Sequence, residues 1–194
     1  RLVRDPLNPR VAHDPYGANS VCYGSGHEVP EWTLPDKEAR PGTLEEHDIE
    51  SKAFGGRRHV TVYLPARMRV TRRYPLLVAH DGADYLRFSG MKTVLDNLIH
   101  RLEIPPMIVA CTQSPDRMKE YMADPAHARF VAEDLLPALE DMLPVSKDPA
   151  SRGLMGASLG AVASLATAWR YPRTFGRLLL QSGSFAFTDL GRTY

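Results

Sequence analysis

A serine with a glycine two positions away on each side is the pattern in this sequence best suited to covalent chemistry. The segment Gly156-Ala-Ser-Leu-Gly160 places Ser158 between two residues that lack a side chain. A nucleophilic serine in many hydrolases stands on a sharp turn between a strand and a helix, and flanking glycines leave room for that turn. The pattern therefore predicts a nucleophile elbow, with Ser158 as the nucleophile.

The residues around Ser158 fit the strand and the helix that such a turn requires. Residues 152–155 predict a strand, and small residues over 158–171 predict a helix that ends before Pro172. The serine would then lie at a helix N-terminus, where backbone N–H groups and the helix dipole stabilise an anion. We therefore expect the backbone N–H of Leu159 to be one oxyanion donor.

A second oxyanion donor is expected from the loop that follows an earlier strand. The apolar run over residues 74–80 predicts such a strand, and Asp81-Gly-Ala83 follows it directly. Gly82 or Ala83 is the candidate for this second N–H group. An Asp-Gly pair is also a strong turn signal by itself, and the two interpretations are compatible.

Strands and helices are predicted to alternate through most of the chain, which indicates an α/β fold with a doubly wound, mainly parallel sheet and helices on both faces. A helix is expected over residues 126–143, kinked at Pro137. Residues 44–194 are expected to form the catalytic domain. Residues 1–43, rich in proline and without periodicity, are interpreted as an extended arm or a linker from an absent N-terminal domain. The other predicted elements are strands over 59–64, 107–111 and 178–180 and a helix over 91–102.

The histidine that would activate Ser158 is not found where the α/β-hydrolase order requires it. That order is nucleophile, acid and then histidine, but no histidine follows His127. His80 is the histidine nearest a predicted strand end, and we expect it to be structural. Asp189 is interpreted as a loop residue. We therefore expect the acid and the histidine beyond Tyr194, with the last strands and helices, so that the chain is truncated and nearly inactive by itself.

Composition excludes several classes of function. The net charge is +1 and basic residues are scattered, so no nucleic-acid surface is expected. No run approaches the roughly 18 apolar residues of a membrane span, and no secretion signal is visible, which favours a cytoplasmic protein without a membrane partner. The two cysteines are expected to be unpaired. Neither a metal nor an organic cofactor is expected in the chemistry.

Short motifs spread through the chain resemble the putative esterase family of the α/β hydrolases, and within it the enterochelin (ferric siderophore) esterases. The elbow occurs in many hydrolases, whereas the opening Asp5-Pro-Leu-Asn8 points more narrowly to siderophore esterases. The other motifs are Gly42-Thr-Leu-Glu-Glu46, Val62-Tyr-Leu-Pro65, Tyr74-Pro75, His80-Asp-Gly82, Ile104-Pro-Pro106, Arg117 with Glu120-Tyr121, Leu135-Leu-Pro137 and Gln181-Ser-Gly-Ser-Phe185.

The resemblance implies a serine esterase that acts through an acyl-enzyme at Ser158 on a small-molecule ester. A ferric siderophore, which carries its iron as part of the substrate, is the substrate implied most directly. Asp81, Arg117, Glu120 and Tyr121 would lie near the substrate. For Arg117 and Glu120 a surface ion pair is the alternative interpretation.

Three other functions remain open from the sequence: a carbohydrate or feruloyl esterase, an acyltransferase, and a hydrolase-like module that binds without catalysis. The segment Phe185-Ala-Phe187 departs from the aromatic pair common in such relatives, which leaves the substrate fit at that wall undefined. The sequence does not predict the oligomeric state.

Overall fold

A six-stranded mixed sheet organises the computed structural model, which describes residues 3–185. The strand order is β3-β4-β6-β5-β7-β8. The pairs β3/β4 and β4/β6 are antiparallel, whereas β5 is parallel to both β6 and β7, and β7 is parallel to β8. The strand bounds are β3 Thr43–Ser51, β4 Gly56–Leu64, β5 Leu76–His80, β6 Ile108–Thr112, β7 Arg152–Ala157 and β8 Arg177–Gln181.

The centre of the sheet is apolar on both faces because helices cover both. Val78 of β5 pairs with Ala110 of β6 and Leu154 of β7, and all three are fully buried. Near-continuous apolar runs of this kind are typical of parallel strands with both faces covered. The parallel strands β5, β6, β7 and β8 therefore end at one edge of the sheet, and that edge carries the candidate site.

Helices connect these strands much as the alternation of patterns predicts. The expected helix over 91–102 is α2, and the expected helix over 158–171 is α6. Sequence patterns did not predict α1, which begins at Gly82 where a loop was expected. The helix bounds are α1 Gly82–Phe88, α2 Met91–His100, α3 Arg117–Glu120, α4 Pro125–Arg129, α5 Leu136–Met142 and α6 Leu159–Arg170, with short 3-10 turns at Glu31–Thr33 and Pro149–Ser151.

The helix expected over 126–143 is interrupted by a π-helical stretch, Phe130–Leu135, between α4 and α5. Pro137 lies in the first turn of α5, directly after this π-helical stretch. Asp134 of the π-helical stretch accepts hydrogen bonds from the Ser51 hydroxyl at 2.9 Å and from Ala53 N at 3.0 Å. The stretch thus ties the β3–β4 turn to the helical layer.

The N-terminal segment contains a two-stranded antiparallel hairpin, β1 (Val11–Asp14) and β2 (Gly17–Ser20). The interpretation of residues 1–43 as an extended arm or linker missed this element because its strands are short and largely exposed. β1 contacts α1 of the main body.

Among residues 3–185, no helix is long and apolar enough to cross a membrane. Phe187, named for the cleft wall, and Asp189, interpreted as a loop residue, lie outside the described residues.

Candidate active site

Ser158 stands at a strained turn between β7 and α6. Its backbone angles are φ 81° and ψ −106°, a region that residues with side chains rarely adopt. A Cβ atom on Gly156 would lie 2.4 Å from the carbonyl carbon of Gly160, so the chain cannot make this turn with a larger residue there. The two glycines of the motif therefore meet across the turn, which is the geometry that a nucleophile elbow needs.

The elbow is fastened to the segment that follows β8. Ser158 N donates to Gln181 O at 3.0 Å, and Ser158 O accepts from Ser184 N at 3.2 Å. The hydroxyl oxygens of Ser158 and Ser184 are 2.7 Å apart. Ser184 belongs to a motif noted in the sequence, but its pairing with the candidate nucleophile had no sequence signal.

The segment Asp81-Gly82 lies beside the elbow and begins α1. Asp81 has a left-handed backbone conformation (φ 57°, ψ 35°), and Gly82 packs so closely on β6 that a Cβ atom would lie 2.3 Å from the Cα of Cys111. The carbonyl of Asp81 accepts from the N–H groups of Asp84 and Tyr85. The first N–H groups of a helix have no partner inside it, so those of Gly82 and Ala83 are available to an anion.

Arg117 holds the carboxylate of Asp81 in a bidentate pair. Nε donates to Oδ1 and Nη2 donates to Oδ2, each at 2.7 Å. Burial raises the pKa of Asp81, while the hydrogen bonds and charge of Arg117 oppose that rise; in return the pair raises the pKa of Arg117. The sequence resemblance suggested that Asp81 and Arg117 each lie near the substrate, but not that they pair with each other.

Glu120 and Tyr121 lie behind the wall of the cleft rather than in it, which corrects the expectation that they contact substrate. Glu120 is 5% exposed and Tyr121 is 0% exposed. The alternative of an ion pair between Arg117 and Glu120 is also wrong, because Glu120 pairs with Arg58 at 2.7 Å. The Tyr121 hydroxyl accepts from Asp81 N at 3.3 Å, so Tyr121 supports the turn that leads into α1.

The buried carboxylate of Glu120 is kept ionised by its neighbours. Burial by itself would raise its pKa, but His127, Arg58 and the Ser114 hydroxyl face it and lower the pKa to about 2. The Ser114 hydroxyl donates to Glu120 at 2.8 Å, and His127 Nδ1 lies 3.7 Å from the same oxygen.

His80 is a fully buried structural residue beneath the elbow. The hydroxyl of Ser164 donates to Gly160 O at 2.8 Å and therefore accepts from His80 Nδ1 at 2.9 Å, so Nδ1 carries the proton. The same nitrogen lies 3.1 Å from Met155 O. Burial, together with the nearby His127, lowers the pKa of His80 to about 3, which leaves the ring neutral at pH 7. These bonds fasten the β5 end to β7 and α6.

An open cleft of about 960 Å³ lies above these residues. Ser158, Asp81, Arg117 and Gln181 line its floor and walls, and the β1–β2 hairpin contributes Tyr16. A further tie across the wall is the contact of the Tyr85 hydroxyl with the side chain of Gln181. Within the described part of the chain, no group of three or more His, Cys, Asp or Glu residues is arranged to hold a metal ion.

A mainly parallel sheet, helices on both faces and a serine on a strand-to-helix elbow define an α/β hydrolase. The family model described as "Putative esterase" matches residues 51–188, so the chain belongs to that esterase family.

Two relatives extend the comparison. The chain is 28% identical over 198 residues to the iron(III) enterobactin esterase of Escherichia coli K12, a match that covers 95% of this chain and 49% of that protein. It is 32% identical over 148 residues to the Bacillus subtilis protein YjcH, which covers 73% of this chain and 62% of that protein. The chain therefore spans about half to three-fifths of these relatives' length.

The fold also matches a solved enterobactin esterase. The crystal structure of the enterobactin esterase from Shigella flexneri in the presence of enterobactin aligns with a TM-score of 0.80 at 25% identity, covering 97% of this chain and 49% of that one.

Proposed function

We propose that this chain carries the nucleophile and the oxyanion site of a serine esterase of the enterobactin-esterase type. The observation that carries the proposal is the strained, glycine-flanked turn at Ser158, with its positive φ, between β7 and α6. Membership of the esterase family and the 28% identity to an iron(III) enterobactin esterase support it. A non-catalytic binding module has no need for such a strained turn.

In the proposed reaction, the Ser158 oxygen attacks the carbonyl carbon of an ester and gives its proton to a histidine base. The N–H groups of Leu159 and of Gly82 or Ala83 stabilise the negative oxygen that forms. Collapse of this intermediate expels the alcohol, which takes a proton from the same histidine, and leaves an acyl-enzyme that water hydrolyses. The proposal requires that histidine, and the acid that orients it, from outside the 194 residues.

The substrate class in this proposal is a siderophore ester of the enterobactin kind, with iron carried as part of the substrate. Arg117 is the cation at the cleft that suits a catecholate or other anionic oxygen. Two of its donors, Nε and Nη2, bind Asp81, which leaves Nη1 on the cleft side, 3.2 Å from the Tyr16 hydroxyl. The charge is thus held in position before a ligand arrives.

The decisive experiment is labelling of the full-length protein with a fluorophosphonate probe, which reacts with activated serines. We expect labelling of the wild-type protein and none of Ser158→Ala. Ser184→Ala is the matched control, because the Ser184 hydroxyl lies 2.7 Å from that of Ser158 and is the neighbouring hydroxyl that could react in its place. Labelling that persists in Ser158→Ala, or vanishes in Ser184→Ala alone, would contradict the assignment.

The substrate is tested separately by comparing hydrolysis of a cyclic trilactone siderophore, with and without iron, with that of a feruloylated sugar. Faster turnover of the trilactone supports the enterobactin-esterase type. Faster turnover of the feruloyl ester keeps the serine esterase and changes its substrate. A full-length protein that binds either ester but labels with no probe is a binding module.

A further inference from the structure

We propose that the tip of the N-terminal hairpin, Pro15 and Tyr16, forms part of the substrate cleft and that the ring of Tyr16 binds an aromatic group of the ester. The inference rests on the proposed function, because it concerns the same cleft. It assigns a specificity role to a segment outside the region that the esterase family model matches, residues 51–188.

The hairpin is held together by its own strand pairing and by side-chain hydrogen bonds at its tip. Val11 pairs with Ser20 and Asp14 with Gly17 across four residue pairs. At the tip, Tyr16 N donates to Asp14 Oδ1 at 2.8 Å, and the Asn19 amide donates to Asp14 Oδ2. Gly17 has φ 138°, a conformation that side chains disfavour. The turn therefore presets the direction of Tyr16.

The base of the hairpin is fastened to the segment that precedes it. Asp5 N donates to the Ser20 hydroxyl at 2.9 Å, and the Asn8 amide donates to Val21 O at 3.0 Å. These two residues open and close the Asp5-Pro-Leu-Asn8 motif, so the motif has a structural role: it closes the hairpin at the end away from the cleft.

Arg117 joins the hairpin tip to the candidate oxyanion segment. Its guanidinium donates through Nη1 to the Tyr16 hydroxyl at 3.2 Å, while its other donors bind Asp81, the residue before Gly82. The Tyr16 ring is thereby held at the cleft by a bond to its hydroxyl. It is still 86% exposed, so both the ring and its π-face are accessible to a ligand.

Other side chains of the same cleft suit an aromatic ligand. Tyr85 and Phe88 of α1 and Met118 of α3 line it together with Tyr16. Aromatic rings prefer offset or edge-to-face contact with one another, and a thioether adds favourable contact with a ring. We therefore expect this wall to bind an ester with an aryl group better than an ester of the same size without one.

The test uses two esters of matched size, methyl benzoate and methyl cyclohexanecarboxylate, with the full-length protein. Tyr16→Ala is expected to reduce the preference in kcat/KM for the aryl ester about three- to tenfold, the value of one aromatic contact beyond burial of area. Tyr16→Phe keeps the ring but loses the bond from Arg117, so it should keep more of the preference than Tyr16→Ala does. Tyr23→Ala is the matched control, since Tyr23 lies in the same segment but stacks on His27 instead of lining the cleft.

A binding measurement separates this inference from the proposed function. The same two esters are titrated into Ser158→Ala, with and without Tyr16→Ala, and the ratio of their Kd values is compared. A fall in aryl preference supports the hairpin role even if the fluorophosphonate experiment fails. An unchanged ratio, or an equal loss in Tyr23→Ala, overturns the inference while leaving the nucleophile assignment intact. Because Tyr16 is exposed on a turn, neither variant threatens folding.

Discussion

Arg117 donates hydrogen bonds to both oxygens of the Asp81 carboxylate, at 2.7 Å each. Asp81 is the residue that precedes the first turn of α1. An aspartate in that position normally accepts from the first N–H groups of its helix, but here its side chain makes no such bond. The pairing with Arg117 therefore keeps the Asp81 carboxylate off those N–H groups. We therefore expect Arg117 to act as a positioning residue for the candidate oxyanion site as well as a charge at the cleft.

Removal of Arg117 is expected to impair the site more than the fold. In Arg117→Ala the Asp81 carboxylate is free to turn onto the N–H groups of Gly82 and Ala83, where it competes with the oxyanion. Loss of one oxyanion donor costs about 10²- to 10³-fold in kcat, so we expect a fall of that order with a smaller change in KM.

Arg117→Lys is expected to be intermediate, because a lysine cannot form the bidentate pair. Arg129→Ala, which removes an exposed arginine from the last turn of α4, is the control for loss of a positive charge. Steady-state kinetics on any accepted ester provide the measurement. A kcat for Arg117→Ala within about threefold of wild type would argue against the positioning role.

The glycines of the elbow are expected to differ in their tolerance of a methyl group. Gly156→Ala puts a Cβ 2.4 Å from backbone, whereas Gly160→Ala puts one 3.3 Å from the His80 Cβ. We expect a loss of about 3 kcal/mol or more in the free energy of unfolding for Gly156→Ala and about 1 kcal/mol for Gly160→Ala.

Urea unfolding monitors both variants. Gly24→Ala, where no atom lies within 4 Å of the added Cβ, is the control and should change stability little. Equal losses at Gly156 and Gly160 would mean that the turn relaxes more than the packed geometry suggests.

His80 is expected to make the protein sensitive to mild acid. Its pKa is lowered from 6.5 to about 3 in the folded state, so below pH 6.5 the unfolded chain binds a proton that the folded chain does not. Stability from this residue is thus complete above pH 6.5 and falls as pH drops toward 3, with a slope approaching 1.4 kcal/mol per unit, about 2.303RT.

The slope is best measured between pH 6.5 and 4.5, since Glu120, whose pKa is lowered from 4.5 to about 2, adds a loss in the same direction chiefly below that range. Urea unfolding at several pH values of wild type and of His80→Gln gives the comparison. His80→Gln should flatten the slope in this window, while His100→Gln, at an exposed position on α2, should not. Parallel curves for all three proteins would contradict the expectation.

Tyr121→Phe is expected to cost about 1–3 kcal/mol in the free energy of unfolding, because it leaves the buried N–H of Asp81 without its acceptor. The same variant should lower kcat moderately by loosening the turn into α1. Tyr63→Phe, which removes another buried hydroxyl, bound to Asp96 at 2.9 Å, is the matched control for stability alone. If both variants lower stability but only Tyr121→Phe lowers kcat, the support of the turn by Tyr121 is established.

The strand-to-helix turn at Ser158 was predictable from sequence because all of its requirements are local. Glycine spacing, the strand before Ser158 and the small-residue helix after it lie within twenty residues, and β7 and α6 match those predictions. The edge strand β3 was missed because its exposed position tolerates a polar sequence, so no alternating apolar pattern marks it. The start of α1 was missed because Asp81-Gly82 has the composition of a turn.

The supporting contacts of the site could not be read from sequence because they join residues far apart in the chain. Asp81 and Arg117 are 36 positions apart, and Arg58 and Glu120 are 62 apart. The sequence offered a surface ion pair as the alternative interpretation of Arg117 and Glu120. Folding instead sends Glu120 inward to Arg58 and Arg117 outward to the cleft.

The strand β8 has a practical consequence for handling the chain. It is the last strand of the described sheet, and Leu178 and Leu179 on its two faces are 39% and 51% exposed. An edge strand presents unpaired N–H and C=O groups along its length, and exposed leucines beside them favour pairing with a strand of another molecule. A protein in which this edge of the sheet stays uncovered is therefore expected to aggregate at high concentration.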